Sequence, residues 1–311
     1  MSSSSSLLFT TLGLAGGAGA GTLARIDSGG AQSLNGGSVT LMANAGGALI
    51  DTTGSQLVNS SGALQLLGGG AAGAMARIGT TAGQTVAFNA LTMTAGVGNG
   101  AHAMLDAQGT QTLTGGNGNI SLAAGGPNSS ATIVGHSQTI TCGAACALLV
   151  SGATGAAGAT ADAVIRNLSG AQAISAGTMM LTGGQQFSTT GIQNQGTGTQ
   201  TVTAAAGDIA LNSDADAASS AAVVIENIPA TLQTISAAAG DTIVDSRGAG
   251  STGITSMGTQ SINTHALDVL TEAGGTLNGA DASVFAVGDQ SIQTTGALGA
   301  VADVGLRVVS R

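Results

Sequence analysis

Few residues of this chain are of a type that does chemistry, and they are widely spaced. His102, His136 and His265 form no His-x-x-x-His pair, so ordinary surface or corner positions are expected rather than metal ligation. Cys142 and Cys146, in "TCGAACA", are the only cysteines. Two thiolates are too few for a zinc site. Their spacing suits a surface disulfide closing a small loop, which implies an oxidising exterior; a reduced buried pair is the alternative. "GGNGNISLA", 115–123, starts like a calcium nonapeptide, but Ile120 stands where that motif has Asp, and no second copy adjoins it. "NSDADAASS", 212–220, places Asp214 and Asp216 in a loop. Calcium takes six or more oxygens, so a solvated loop is the expectation there. The chain has no Lys, which excludes a P-loop, and no Gly-x-Ser-x-Gly elbow. Polysaccharide-cleaving acid–base chemistry needs clustered carboxylates, usually beside stacking aromatics. Here the 15 acidic residues are scattered, and Trp and Tyr are absent. The chain is read as non-enzymatic, with no catalytic residue, metal or cofactor.

Composition narrows the partners. Net charge is −9 with six Arg. Displacing counterions from phosphates needs Lys and Arg, and single-stranded binders add aromatics, so a nucleic-acid partner is not expected. An anionic membrane surface is disfavoured on the same ground. No run of 18 apolar residues occurs, so no membrane span is assigned. Charged residues make up 7% and apolar residues 43%; a disordered chain would invert that balance. The apolar residues are mostly Ala, Leu, Ile and Val, which suits a thin core.

What must position any function is a repeat. "GTQTLTGGNGNISLAAG", 109–125, and "GTQTVTAAAGDIALNSDAD" from Gly198 share one template. Gln recurs at Gln32, Gln56, Gln84, Gln111, Gln138, Gln172, Gln200, Gln233, Gln260 and Gln290, with spacings of 24 to 34 residues. Two residues after each Gln stands Leu, Val or Ile, from Leu34 to Ile292. Upstream, Ile26, Ile50, Ile78, Leu105, Ile254 and Val284 sit six residues before their Gln; Ile133 sits five before, Ile165 seven, and Ile192 and Ile225 eight. Downstream lie pairs such as Val39/Leu41, Leu64/Leu66, Leu91/Met93 and Ile120/Leu122. Each unit thus carries three short segments of period two, the signature of strands with one apolar face. Asn-Gly turns are too few for a hairpin meander. The expected fold is all-β: a parallel β-helix (β-solenoid), right-handed, of about ten coils of 24–34 residues with three short strands each. It forms one domain over 1–311: 1–20 a weak N-terminal edge or leader, 21–299 the repeats, 300–311 an incomplete terminal coil. Residues 7–20 have the length of a signal core but no positive segment before them, so an edge strand is the preferred reading.

In "GTQTLTGG" the alternation sends Leu113 inward, and Gln111 goes with it or lies at a corner of the coil. A buried amide needs partners. A column of Gln supplies them as a side-chain ladder, which is the reading preferred over exposed corners. Gly and Asn suit tight corners. The four Phe, at 9, 88, 187 and 285, are assigned to the ends or to bulges.

"GAQSLNGGSVTLMA", "GTQTLTGGNGNISLAAG" and "GAQAISAGTMMLTGG" resemble the repeats of filamentous-haemagglutinin-like exoproteins and related autotransporter passengers, from Gly21 to about Gly299. The resemblance implies a secreted bacterial β-helix of the cell surface or exterior, active in adhesion or biofilm. It carries over no individual residue. The expected function is a non-catalytic structural rod that self-assembles end to end into a filament or serves as an adhesin stalk, its partner another copy or a cell-surface or matrix molecule. Assembly edges are expected at Leu7 and Phe9 at one end and at Val304, Leu306 and Val308 at the other. The alternative is an ice- or crystal-binding solenoid using outward Thr-x-Thr rows such as 110/112 and 199/201, interrupted at Ala171, Ala173, Leu232 and Asp289.

Overall fold

The computed structural model describes residues 4–153, 160–184, 188–213, 221–229, 231–247, 250–272, 281–302 and 307–309. Every regular element in them is a β-strand, and every pairing is parallel. One coil shows the plan. His102–Ala107 forms a first wall, Gln111–Gly115 a second, and Ile120–Ala123 a third. Each pairs with its equivalents in the coils before and after: Leu105 with Ile78 and Ile133, Leu113 with Val86 and Ile140, Ile120 with Leu91 and Leu148. The protein is therefore a parallel β-solenoid of about ten turns, with eleven first-wall strands in one stack.

The period-two pattern is what closes the coil. Ile50, Ile78, Leu105, Ile133, Ile165, Ile192, Ile225, Ile254 and Val284 form one fully buried column in the first wall. Leu34, Val58, Val86, Leu113, Ile140, Ile174, Val202, Ile235 and Ile262 form a second. The third wall adds pairs such as Leu64/Leu66 and Ile120/Leu122, and also Met179/Leu181, which the sequence reading left out. All of these belong to one continuous apolar core. Flanking residues such as Thr112 and Ser121 lie on the opposite, half-exposed face.

The uneven Ile-to-Gln spacing has a local cause at the corner between first and second walls. Where the spacing is six, three residues make the corner, as at 81–83 and 108–110. The spacing of five at Ile133 leaves only His136 and Ser137, and Ser137 adopts φ 56° to make the turn. Spacings of seven and eight leave four or five corner residues, at 168–171, 195–199 and 228–232. The last residue of the first-wall strand matches the corner. In three-residue corners it is small or a hydroxyl: Ser28, Thr52, Thr80, Ala107, Ser256 or Ala286. Those hydroxyls accept from the backbone N–H two residues on, as Thr80 does from Ala82 at 3.0 Å. In the longer corners it is Asn167, Asn194 or Asn227, whose amide reaches the far carbonyl of Gly170, Gly198 or Thr231 at 2.9–3.0 Å. The insertions bulge outward, so Ile stays over Ile and Gln over Gln throughout.

The phenylalanines correct an expectation. Phe88 lies in an interior coil and is buried, not at an end or a bulge. It fits because Gly115 stands opposite it in the next coil; a Cβ there would lie 2.9 Å from the Phe88 ring. Phe9, in the end strand Ser5–Ala15, likewise stands against Gly36, where a Cβ would meet its ring at 2.4 Å. A thin core admits an aromatic only where its neighbour has no side chain. Phe285 faces outward, half-exposed, and Phe187 lies outside the described residues. First-wall strands such as His102–Ala107 have six residues, and Ser5–Ala15 and Gln32–Met42 each run through both the second and third walls.

Candidate functional site

The Gln column is an inward ladder. The Nε2 of Gln56 donates to Gln32 Oε1 at 2.8 Å, and the pattern continues through Gln84, Gln111, Gln138, Gln172, Gln200, Gln233, Gln260 and Gln290 at 2.6–2.9 Å. Every bond runs from a coil to the one before it, so the ladder has a direction. The second amide hydrogen reaches a backbone carbonyl in many coils, such as Ile78 O from Gln84 at 3.3 Å. All the Gln side chains are buried except Gln290, which is half-buried at the end. A shorter ladder runs the opposite way: Asn167 donates to Asn194 Oδ1 at 2.7 Å, and Asn194 to Asn227 Oδ1 at 2.8 Å. Beyond it, Asn167 Oδ1 is buried with no donor, because Gly135 precedes it in the column.

Outside this ladder the second wall presents a row of Ser33, Leu57, Thr85, Thr112, Thr139, Ala173, Thr201, Thr234, Ser261 and Ser291, one residue per coil in strict register. A shallow groove follows the N-terminal part of this row, from Ser5 and Ser33 to Thr110 and Thr112.

The first wall holds a charge cluster that sequence reading did not assemble. Asp27, Asp51 and Asp106 occupy one outward row and Arg25 and Arg77 the neighbouring one. The signal lay in the Ile column: each Asp follows a column residue, Ile26, Ile50 or Leu105, and each Arg precedes one, Ile26 or Ile78. Gly79 stands in the Asp row between Asp51 and Asp106. A Cβ at Gly79 would lie 2.7 Å from both Arg77 Nε and Asp106 Oδ1, so its absence lets the guanidinium cross. Arg77 then binds Asp106 with two bonds, at 2.6 and 2.9 Å, and Arg25 binds Asp27 at 2.5 Å. Asp51 sits between two guanidiniums already engaged, at 3.5 Å from Arg77 and 3.7 Å from Arg25, and its Oδ1 is buried without a hydrogen-bond donor. Burial pushes its carboxyl above the usual range; Arg77 and Arg25 pull it back in part, and Asp106 and Asp27 add to the rise. The hydrogen bond to Asp106 holds the Arg77 guanidinium above its usual value. With each fork already bound to a carboxylate, the cluster ties neighbouring coils together.

Cys142 and Cys146 are disulfide-bonded, but the expected surface position is wrong: both are buried, with the Cys142 Cβ against the space at Gly115. The bond closes the corner between the second and third walls; Ala144 and Ala145 stay exposed while the two sulfur-bearing side chains turn inward. His102 Nδ1 lies 2.8 Å from Ser130 Oγ, and burial lowers its pKa. His136 occupies the two-residue corner, and His265 pairs with Asp241 at 2.8 Å. Asp214, Asp216, Val304 and Leu306 lie outside the described residues. Among the described residues no group of three or more His, Cys, Asp or Glu is placed to hold a metal ion, and no helix is long and apolar enough to cross a membrane.

Leu7 and Phe9 belong to Ser5–Ala15, and Val308 to Arg307–Val309. Each of these edge strands is paired on one side, with Gln32–Met42 and with Asp281–Ala286 respectively. The fold and its ladders define a β-solenoid. No family profile matches the chain, and no curated protein or solved structure matches it significantly.

Proposed function

We propose that this chain is a non-catalytic structural rod of the bacterial exterior, serving as an adhesin or biofilm stalk or as the subunit of an end-to-end filament. The observation that carries the reading is the unbroken register of three walls around one apolar core. A solenoid so built is stiff along its axis, because each coil is held by its neighbours. Two further features support an exported rod. The buried Cys142–Cys146 disulfide suits an oxidising compartment, and the Gly-x-Gln repeats resemble those of filamentous-haemagglutinin-like exoproteins. Fractionation of the producing cell tests it: the protein is expected at the cell surface or in the medium with both cysteines oxidised. A cytoplasmic protein with free thiols would overturn it.

A second reading rests on the aligned hydroxyl row from Ser33 to Ser291. A flat Thr and Ser ladder at a spacing of ~4.8 Å is a template for an ice or crystal face. Leu57 and Ala173 interrupt it, which is why it stands second. Thermal hysteresis in dilute solution supports it, and its absence removes the ice reading.

A further inference from the structure

The two end faces of the described solenoid match each other in one orientation only. At one face Ser5–Ala15 and Leu23–Ser28 pair on a single side. At the other, Gln290–Thr294, Leu298–Ala302 and Arg307–Val309 do the same. Residues that point into the core elsewhere are uncovered here. Leu7 is 37% and Leu298 66% exposed, and Phe9, Leu12, Leu14, Ile26 and Ile292 are only partly buried. The winding order also fits. The last strand, Arg307–Val309, is first-wall, and the next element of a coil is second-wall, which is what Ser5–Ala15 presents.

The geometry points to a head-to-tail contact between two copies of this chain, with Ser5–Phe9 of one laid on Gln290–Thr294 of the other, Leu12–Ala15 on Leu298–Val301, and Arg25–Asp27 on Arg307–Val309. The contact rests on the rod reading above and gives it a specific partner and register. Extending the observed columns places Leu7 over Ile292 and Leu12 over Leu298, so apolar meets apolar in the second and third walls, and brings the backbone of Ile26 into register with that of Val308. The Gln ladder fixes the polarity. Its bonds all point toward the Ser5 face, leaving a carbonyl oxygen, Gln290 Oε1, toward the other face and an amide, Gln32 Nε2, toward Ser5. Ser5 occupies the Gln position of its strand. A hydroxyl both donates and accepts, so it suits the junction between a carbonyl and an amide. Two Gln290 faces brought together would oppose carbonyl to carbonyl, and two Ser5 faces would leave the Gln290 carbonyl of each copy without a donor. One adverse pair is visible in the register: Arg25, already bound to Asp27, comes opposite Arg307. Contacts of this heterologous kind do not close, so they give an open fibre.

Site-directed cross-linking of the full chain tests this. Ser6 and Ser291 lie in the same outward row, so in the stack their Cα atoms lie ~5 Å apart, within disulfide range. Mild oxidation of S6C mixed with S291C is expected to give the 6–291 linkage as the main product. The double variant is expected to give a ladder of multimers on a non-reducing gel, and R307D to lengthen that ladder several-fold. Formation of 6–6 and 291–291 links as readily as 6–291 overturns the proposal, and so does the absence of any link at millimolar protein with the circular dichroism of the native fold retained. Failure here with the protein still found at the cell surface discards the stacking and leaves the rod. Cross-linking by a protein that stays in the cytoplasm keeps the stacking and discards the exterior role.

Discussion

Replacing Gln111 by Leu makes the coil more apolar and should nevertheless weaken it. Gln111 donates to Gln84 Oε1 and accepts from Gln138 Nε2, both at 2.8 Å. Both neighbours are buried, so the substitution strands one acceptor and one donor out of reach of water. Each orphan costs about 1–3 kcal/mol. Burying Leu in place of an amide returns about 1–2 kcal/mol, and the Gln84 side-chain amide keeps its bond to the Ile78 carbonyl. The net expectation is a loss of about 1–4 kcal/mol. The same change at Gln290 breaks one bond at a half-buried end, and should cost under about 1 kcal/mol. Urea unfolding followed by circular dichroism, wild type against both variants, reads the difference directly. A Q111L protein as stable as wild type, or more so, would refute the claim that the ladder is buried and bonded throughout.

Gly115→Ala should destabilise the fold by crowding Phe88 and Cys142, and Phe88→Ala in the same chain should recover part of the loss; a double-mutant cycle on thermal unfolding checks the coupling. Removing the Cys142–Cys146 bond with paired Ala substitutions should cost about 2 kcal/mol by loop closure, measured as the shift in urea midpoint between oxidised protein and variant. Asp51 has a folded pKa raised above 3.8, so its contribution is fully present below that value and is lost as pH rises through the folded pKa. D51N should therefore gain stability relative to wild type as pH climbs from acid to neutral; a gap that narrows instead would mean the two arginines outweigh burial. Val308→Pro removes a ladder donor from the edge strand Arg307–Val309, and should shorten fibres in electron micrographs at equal protein concentration.

Much of the fold was legible because a solenoid repeats its constraints. Most inward positions are apolar or hydrogen-bonded from coil to coil, so the Ile, Gln and Leu columns appear as spaced letters in the sequence. The offsets of Ile133, Ile165, Ile192 and Ile225 looked like noise until the corners were seen to absorb them, with Gly135 before the shortest and Asn167, Asn194 and Asn227 before the long ones. Features that depend on contact between coils were harder to see. Phe88 in the core follows from Gly115, 27 residues away, and the Arg25–Asp27–Asp51–Arg77–Asp106 cluster follows from counting one residue either side of the Ile column. The disulfide was legible in the spacing of its cysteines. Its burial was not, because that depends on how the corner folds against Gly115 and Phe88.

Electron cryomicroscopy of the purified full-length protein tests the central claim most directly. Slender rods are expected, whose averaged images or diffraction show a meridional spacing of ~4.8 Å along the long axis, the rise of one coil on the next, continuing without a break wherever two particles join. Globular particles, or rods without that axial repeat, would contradict the solenoid rod and every functional reading built on it.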